Sequence, residues 1–268
     1  MAAKIAFIGA GNMAGAIVEG ILRGGAAAAA DIVMADISSA RLAELAAKHG
    51  VRTTASNVDA VRGADTVFLA VKPQHLSEAI AQAAGAFAAD QLVASICAGV
   101  TTARLESMLP GRIVRVMPNL PALAGAGVAA VCRGSRATEA DADAVCALLA
   151  GTGTVVRAEE AQMDAVTGLS GSGPGYVFAF IEALEAAGLA QGFAPDTARR
   201  MAVGTVLGAA TLAAARPDVP PAEWRRRVSS PGGTTLAGLA AMEARGFSAA
   251  VDAAVRAATA RSAELAGG

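Results

Sequence analysis

Hydrophobic periodicity changes once along this chain, near residue 158. Before that point, short runs rich in β-branched residues alternate with Ala-rich amphipathic segments, and Gly, Asp, Asn or Pro bounds each run. From about Glu159 onward the β-type runs stop, and only segments with helical periodicity follow. Alternation of strand and helix indicates βαβ units, which form a mainly parallel, doubly wound sheet with helices on both faces. The sequence therefore predicts an α/β domain, residues 1–158, followed by an all-α domain, residues 159–268.

The predicted strands are the β-branched runs of the first half: Lys4–Ile8, Ile32–Asp36, Thr66–Val71, Gln91–Cys97, Ile113–Val116, Gly127–Val131 and Thr154–Arg157. The predicted helices of the first half include Ser39–His49 and Thr138–Ala150, the latter with a capping start at Thr138 and Asp141. Those of the second half are Glu159–Leu169, Gly173–Gly188, Pro195–Ala215, Ala222–Val228, Thr235–Arg245 and Ser248–Leu265.

Composition and charge exclude several classes of protein. Of 268 residues, 54% are hydrophobic and 17% are charged, which excludes a disordered chain. With a formal net charge of −1, the chain lacks the excess of basic residues typical of proteins that bind nucleic acid or an anionic membrane. The longest uncharged apolar stretch, Met201–Ala215, is shorter than the roughly 18–20 residues that span a bilayer, and the N-terminal run does not resemble a secretory signal. We therefore expect a cytoplasmic protein that binds neither nucleic acid nor membrane.

Side chains that commonly carry chemistry on their own form no obvious cluster. The three cysteines, Cys97, Cys132 and Cys146, lack zinc-site spacing and are expected to be buried thiols in a reducing compartment. The two histidines, His49 and His75, are predicted to lie on helix surfaces. No nucleophile–base pattern, carboxylate pair or metal site stands out. We therefore expect a bound cofactor to carry the chemistry, with the protein supplying position and a dry pocket.

The first predicted strand runs into a glycine-rich turn, Gly9–Ala14, with the pattern GxGxxA. In a dinucleotide-binding unit, Gly9 would allow the tight turn, Gly11 would let a pyrophosphate approach the backbone, and Ala14 would keep the next helix close to the strand. The start of that helix offers unpaired N–H groups to phosphate. The alternative is a glycine-rich turn without a ligand.

The second predicted strand ends in Asp36, about where an acidic residue meets the adenosine ribose of a dinucleotide. A carboxylate there favours the 2′-hydroxyl of NAD and repels a 2′-phosphate, whereas Ser38, Ser39 and Arg41 suit a phosphate. The choice between NADH and NADPH therefore stays open, as does a simpler role for Asp36 in a turn or helix cap.

Three further loops follow predicted strands: Ala70–Gln74, Ala98–Val100 and Val116–Asn119. Ligands of open α/β sheets bind at the carboxyl ends of strands, so the first two loops are predicted to line the nicotinamide side of a cofactor. Lys72 is alternatively a surface cation. Asn119 is predicted to orient the nicotinamide amide or the substrate, with a plain turn as the alternative.

The second half contains two Gly/Ser-rich islands, Ser170–Tyr176 and Ser229–Thr235. Each precedes a predicted helix, so backbone N–H groups and hydroxyls can hold a carboxylate without any basic side chain. The alternative for each island is an ordinary turn between helices.

Six motifs occur in order along nearly the whole chain: Phe7–Ala14, Ala70–Gln74, Ala98–Val100, Val114–Gly125, Leu169–Leu184 and Ser229–Thr235. In this combination the chain resembles the pyrroline-5-carboxylate reductase family, to which the last two motifs are very specific. Two positions depart from the family pattern: Leu120 stands where Thr is usual, and Gly175 stands where Ala is usual. Asp36-Ile37 also lacks the basic residue often found there in members that prefer NADPH.

The resemblance implies an N-terminal Rossmann domain and a C-terminal helical dimerisation domain. It implies an interleaved homodimer, further assembly into a decamer, and an active site between the Rossmann domain and a helical domain contributed partly by the partner chain. The implied reaction is reduction of the cyclic imine 1-pyrroline-5-carboxylate to L-proline by NADPH or NADH, the last step of proline biosynthesis.

The motifs and the resemblance together imply the site residues. Thr235 is expected to contact the ring nitrogen, orient the imine and relay its proton. Residues expected to bind the substrate are Ser230, Gly232, Gly233 and Thr234. Residues expected to bind the cofactor are Gly9, Ala10, Gly11, Asn12, Met13, Asp36, Ala70, Val71, Lys72, Pro73, Ala98, Gly99 and Asn119.

Two other functions are compatible with the first motif. Another imine reductase or a 3-hydroxyacid dehydrogenase would share the architecture, but such dehydrogenases use a lysine of the helical domain, and residues 159–268 contain none. A non-catalytic nucleotide-sensing or scaffold protein would have no reason to keep both Gly/Ser islands.

Overall fold

The structure, a computed structural model, describes residues 4–266. The first three residues and the last two residues of the predicted domains lie outside this range. The chain divides into two compact units, one of Met1–Ser172 with Arg256–Gly268 and one of Gly173–Val255. We call them the α/β unit and the helical unit. The boundary between the units lies beyond residue 158, so the division into domains 1–158 and 159–268 stays a prediction.

The α/β unit is built on an eight-stranded sheet with the strand order β3-β2-β1-β4-β5-β6-β7-β8. Neighbouring strands run parallel, except that β6 and β7 are antiparallel. This confirms the predicted mainly parallel sheet. The strands are β1 Ile5–Ile8, β2 Ile32–Ala35, β3 Arg52–Thr54, β4 Thr66–Leu69, β5 Leu92–Ser95, β6 Arg112–Met117, β7 Gly127–Arg133 and β8 Gly153–Arg157.

Helices cover both faces of this sheet because successive side chains of its strands point in opposite directions. On β1, Ile5 and Phe7 belong to one hydrophobic cluster, whereas Ala6 and Ile8 belong to another. The first cluster holds apolar residues of the first, second and sixth helices, and the second holds residues of the third, fourth and fifth. The helices are α1 Asn12–Arg23, α2 Ser39–His49, α3 Asn57–Val61, α4 Leu76–Gln82, α5 Thr102–Met108, α6 Glu139–Leu149 and α7 Met163–Val166.

Two local features of the α/β unit differ from the sequence prediction. The short strand β3 was not predicted, because it has only three residues and lies at the edge of the sheet, where none of them is fully buried. The predicted helix Glu159–Leu169 is a 3-10 turn, the short α7 and then a π-helical turn, Thr167–Gly171. The capping start of α6 is confirmed, because Thr138 and Asp141 form a capping box.

The helical unit holds most of the remaining helices and has few buried side chains. Neither α8 nor α11 has a single buried residue, although both are rich in apolar side chains. In the described residues, no helix is both long enough and apolar enough to cross a membrane. The helices are α8 Gly173–Ala190, α9 Pro195–Ala215, α10 Pro221–Arg227, α11 Thr234–Ala244 and α12 Phe247–Ala266, whose last turns belong to the α/β unit.

Candidate active site

A cleft of about 350 Å³ opens at the carboxyl ends of β1, β2 and β4. Six of the residues that line it are predicted cofactor ligands, which brings together three loops far apart in sequence. Parallel strands end at the same edge of a sheet, so the topology itself assembles the cleft. These six residues are Gly9, Gly11, Asp36, Ala70, Val71 and Lys72.

The two glycines of the first motif have different geometric roles. Gly9 has φ +96°, and a Cβ there would lie 2.7 Å from the carbonyl oxygen of Ala70. Gly11 has an ordinary φ of −67°, and a Cβ there would meet nothing within 4 Å. Gly9 therefore lets the loop pass close to the end of β4, whereas Gly11 leaves open space in front of the helix.

The N-terminus of α1 is free to bind an anion. Gly11 is its N-cap, no side chain caps it, and the first turn carries no acidic residue. The first N–H groups of a helix have no partner within the helix and carry partial positive charge. The open space at Gly11 and these N–H groups together fit the pyrophosphate of a dinucleotide.

Asp36 lines the cleft and also holds the glycine loop. Its Oδ2 accepts a hydrogen bond from the Ala10 N–H at 2.7 Å, and its Oδ1 accepts one from the Ser38 N–H at 2.9 Å. Arg41 donates through Nε to the carbonyl of Ala10 at 2.9 Å and pairs with Glu44. The carboxylate therefore has the turn-forming role that the sequence left open, and its charge remains at the cleft.

Sequence reasoning missed several residues of this cleft. His75, expected on a helix surface, follows the loop after β4 in a 3-10 turn and lines the cleft. Polar residues of α3 and α4 also line the cleft and are joined by hydrogen bonds, since Asn57 donates to Gln82 at 2.9 Å and Gln82 donates to Glu78 at 3.4 Å. Ile37 also lines the cleft and is 96% exposed, a signal that was visible as an apolar residue directly after the acidic one.

A second pocket, of about 190 Å³, lies beside the loop that follows β5. It contains Pro73, Ala98 and Gly99, the remaining predicted contacts from the two strand-end loops. Leu265, from the last turn of α12, also lines it, and no sequence motif indicated this residue. Nine of the thirteen predicted cofactor residues thus line two pockets of the α/β unit.

Three other predicted cofactor residues have different surroundings. Ala10 is fully buried in the hydrophobic core, Asn12 is exposed at the start of α1, and Met13 is partly buried against that core. Their contact with a cofactor stays a prediction.

Asn119 is buried and bonded within the protein. Its Oδ1 accepts a hydrogen bond from the N–H of Val128 at 2.8 Å, and its Nδ2 donates to the carbonyl of Ser170 at 2.9 Å. A Cβ on Gly171 would lie 2.6 Å from the methyl group of Met117. The loop after β6 therefore fixes the π-helical turn, and a direct contact of Asn119 with a cofactor stays a prediction.

An ion pair between a buried arginine and a partly exposed glutamate lies near the start of α5. Arg115 on β6 donates to Oε1 of Glu160, and the guanidinium is almost completely buried. Burial would raise the pKa of Glu160, but hydrogen bonds from Thr102 and the charge of Arg115 lower it below its ordinary value. Burial, together with Glu160, raises the pKa of the Cys132 thiol to about 11, so that this thiol is neutral at physiological pH.

The second Gly/Ser island forms a tight turn at the start of α11 in the helical unit. The N–H of Gly233 donates to the carbonyl of Ser230 at 2.9 Å, and Gly232 has φ +68°. Gly233 is the N-cap of α11, with no side-chain cap and no acidic residue in the first turn. The first N–H groups of α11, those of Thr234, Thr235 and the next residue, therefore lack helical partners and suit a carboxylate.

Metal-binding side chains are not clustered. Within residues 4–266, no group of three or more His, Cys, Asp and Glu residues is arranged to hold a metal ion. The three cysteines are free, with Cys97 and Cys132 buried and Cys146 partly exposed.

Comparison with protein families gives two matches that together span most of the chain. Residues 160–265 match the family described as pyrroline-5-carboxylate reductase dimerisation. Residues 4–99 match the family described as NADP oxidoreductase, coenzyme F420-dependent.

Similar proteins cover the chain from end to end. A pyrroline-5-carboxylate reductase of Pseudomonas aeruginosa is 42% identical over 98% of this chain and 97% of its own length, and one of Methanosarcina acetivorans is 39% identical over the same shares. Among solved structures, the Coxiella burnetii enzyme has a TM-score of 0.93 at 33% identity and covers 99% of both chains. The Plasmodium falciparum enzyme, solved with NADP bound, has a TM-score of 0.86 at 28% identity and covers 98% of both.

These relatives favour a pyrroline-5-carboxylate reductase over another imine reductase or a 3-hydroxyacid dehydrogenase. Their identity and coverage establish more than a shared fold. The chain belongs to the pyrroline-5-carboxylate reductase family, which comprises NAD(P)-dependent oxidoreductases that act on a C=N bond.

Proposed function

We propose that this chain reduces 1-pyrroline-5-carboxylate to L-proline with NADPH or NADH, in the cytoplasm, as the last step of proline biosynthesis. The main support is the turn Ser229–Thr235, which places unpaired N–H groups at the start of α11 without an acidic neighbour. The substrate is a small carboxylate, and such a helix start binds one without a basic side chain. The open N-terminus of α1 supplies the matching site for the cofactor.

The cofactor is held by backbone groups more than by side chains. The loop from Gly9 to Met13 and the first turn of α1 bind the pyrophosphate. Because the Ala10 N–H is bonded to Asp36, Ala10 contributes through the shape of the loop. Asp36 lies at the adenosine ribose, where its charge favours NADH over NADPH. The nicotinamide ribose and ring are framed by Ala70, Val71, Lys72, Pro73, Ala98, Gly99 and Asn119.

The substrate is bound through its carboxylate and oriented through its ring nitrogen. Ser230, Gly232, Gly233 and Thr234 hold the carboxylate, so that the Thr235 hydroxyl contacts the ring nitrogen and relays its proton. An imine is most electrophilic when its nitrogen is protonated, and a hydroxyl or water near the nitrogen is sufficient for that. When bound, the reduced nicotinamide supplies the hydride that the imine carbon accepts.

The active form is an interleaved homodimer, and five dimers assemble into a decamer. Self-association is supported by the match of residues 160–265 to a dimerisation family and by the apolar side chains that α8 and α11 leave exposed. Interleaving and the decamer rest on the family resemblance alone. The dimer is needed for activity, because the partner chain contributes part of the helical domain that binds the substrate in each active site.

The test is loss of reduced-nicotinamide absorbance by the purified protein with 1-pyrroline-5-carboxylate, measured with NADH and NADPH in parallel. We expect oxidation that depends on the imine, with NADH the faster cofactor. Thr235→Ala should lower kcat/KM by about 10- to 1,000-fold, the range for loss of one positioned hydrogen bond at the reacting centre. No oxidation with either cofactor, by protein shown to be folded and dimeric, would overturn the proposal. Wild-type kinetics of the variant would remove Thr235 from the mechanism.

A further inference from the structure

The loop that follows β5 is held by a glutamate from much later in the chain. Thr102, the first residue of α5, comes directly after the loop Ala98–Thr101. Its N–H and its hydroxyl both donate to Oε2 of Glu160, at 3.1 Å and 2.7 Å. Because both donors of Thr102 bind the same carboxylate oxygen, the start of α5 and the end of the loop are fixed relative to Glu160.

Glu160 is fixed in turn by a buried charge. Arg115 donates to its other oxygen, Oε1, from a side chain that is only 3% exposed. The second terminal nitrogen of Arg115, Nη2, is buried and has no hydrogen-bond partner, so Glu160 is the acceptor that compensates this cation. Moving the carboxylate away would leave the guanidinium buried and unpaired, which is strongly unfavourable.

The other side of the loop contacts the last turn of α12. A Cβ on Gly99 would lie 3.5 Å from backbone and side-chain atoms of Leu265, and Gly99 has φ +71°. The Ser262 hydroxyl donates to Asp164 at 2.7 Å, which ties this end of α12 to α7. The loop is therefore supported on two sides by residues beyond position 159.

We propose that Glu160 is a positioning residue for the nicotinamide half of the cofactor, acting through Thr102 on the loop Ala98–Thr101. This inference rests on the proposed function, in which Ala98 and Gly99 contact the nicotinamide ribose and ring. A loop that is less firmly held is in its binding-competent position for a smaller fraction of the time, and the apparent Kd rises in proportion. Under the proposed function the adenosine half binds in the cleft at Asp36, away from Thr102, so its affinity should not change.

The experiment compares two ligands in the full-length protein. Reduced cofactor carries the nicotinamide, whereas ADP-ribose has the same adenosine and pyrophosphate without the ring. Thr102→Val removes the hydroxyl bond to Glu160 with little change in shape, and Thr102→Ser retains it. Ser107→Ala is the matched control, since it removes a hydroxyl bond to the carbonyl of Arg104 in the same helix.

We expect Thr102→Val to raise the Kd of reduced cofactor by about 3- to 10-fold while the Kd of ADP-ribose stays the same. Thr102→Ser and Ser107→Ala should bind both ligands as the wild type does. Glu160→Gln should raise the Kd of reduced cofactor further. Because it also leaves the Arg115 charge without its counter-ion, the conclusion depends on the Thr102 variants.

Three results would overturn the inference. Equal cofactor affinity of Thr102→Val and wild type would show that the contact does not position the loop. Equal weakening of cofactor and ADP-ribose would show a general loosening of the unit. A wild type that binds neither ligand would overturn the proposed function and this inference with it.

Discussion

Single residues decide whether the glycine loop folds and whether it binds. Gly9 lies so close to the backbone of Ala70 that a side chain has no room, and its φ of +96° is unfavourable for any other residue. Gly11 is free of both constraints, so its lack of a side chain matters only when a ligand approaches. Glycine is therefore required for folding at position 9 and for ligand binding at position 11.

Substitution of each glycine by alanine should distinguish the effect on stability from the effect on cofactor binding. Gly9→Ala should lower the free energy of unfolding by about 2 kcal/mol or more through backbone strain and overlap. Gly11→Ala should change it by less than about 1 kcal/mol, as an N-cap change, yet weaken NAD(P)H binding about tenfold or more. Thermal unfolding and cofactor titration of both variants test this. Strong cofactor binding by Gly11→Ala would show that the pyrophosphate does not approach this position.

At the level of elements, carboxylates that accept two hydrogen bonds from one threonine mark where helices begin. Asp141 accepts hydrogen bonds from the N–H and hydroxyl of Thr138, at 2.8 Å and 2.7 Å, at the start of α6. Glu160 binds Thr102 in the same way at the start of α5. The sequence predicted the first of these starts, because both partners lie within one helical turn. The second joins residues 58 positions apart and had no sequence signal.

The free energy of unfolding should therefore decrease at acid pH. Burial would raise the pKa of both carboxyls. The hydrogen bonds that Thr138 donates to Asp141 and Thr102 donates to Glu160, with the charges of Arg112 and Arg115, instead lower both pKa values below their ordinary range. A pKa that is lower in the folded state stabilises the fold above the unfolded value and loses that effect as pH falls through the folded one. We expect the melting temperature to fall as the pH drops below these ordinary values, and to fall less in Asp141→Asn. An equal slope in the variant would contradict this assignment.

For the whole molecule, the helical unit lacks a core of its own. Phe178 and Phe180 on α8 and Leu207 on α9 are exposed, and only a few side chains of this unit are buried. Monomeric proteins rarely leave large contiguous patches of apolar surface in water. Residues 160–265 match a dimerisation family, and we expect a second chain to cover this surface.

The assembly is therefore expected to be required for a stable helical unit. Light scattering after gel filtration should give at least twice the chain mass of 26.3 kDa at micromolar concentration. Phe178→Glu should shift the protein toward monomer or aggregate and abolish activity. Val156→Glu, which changes an exposed apolar residue of β8 in the α/β unit, should leave the mass unchanged. A wild-type monomer over this concentration range would contradict the interpretation.

The sequence by itself determined the class of fold, the limits of seven helices to within two residues, and the motifs at strand ends, because these depend on periodicity and turn chemistry within a few residues. Helices Ser39–His49 and Pro195–Ala215 were predicted with their observed limits. Only the tertiary structure decided which loops meet in the cleft, that Asp36 bonds the glycine loop, and that Glu160 and Leu265 hold the loop after β5. These contacts join residues tens to more than a hundred positions apart, and packing of the sheet and its helices brings them together without leaving a periodic trace in the sequence.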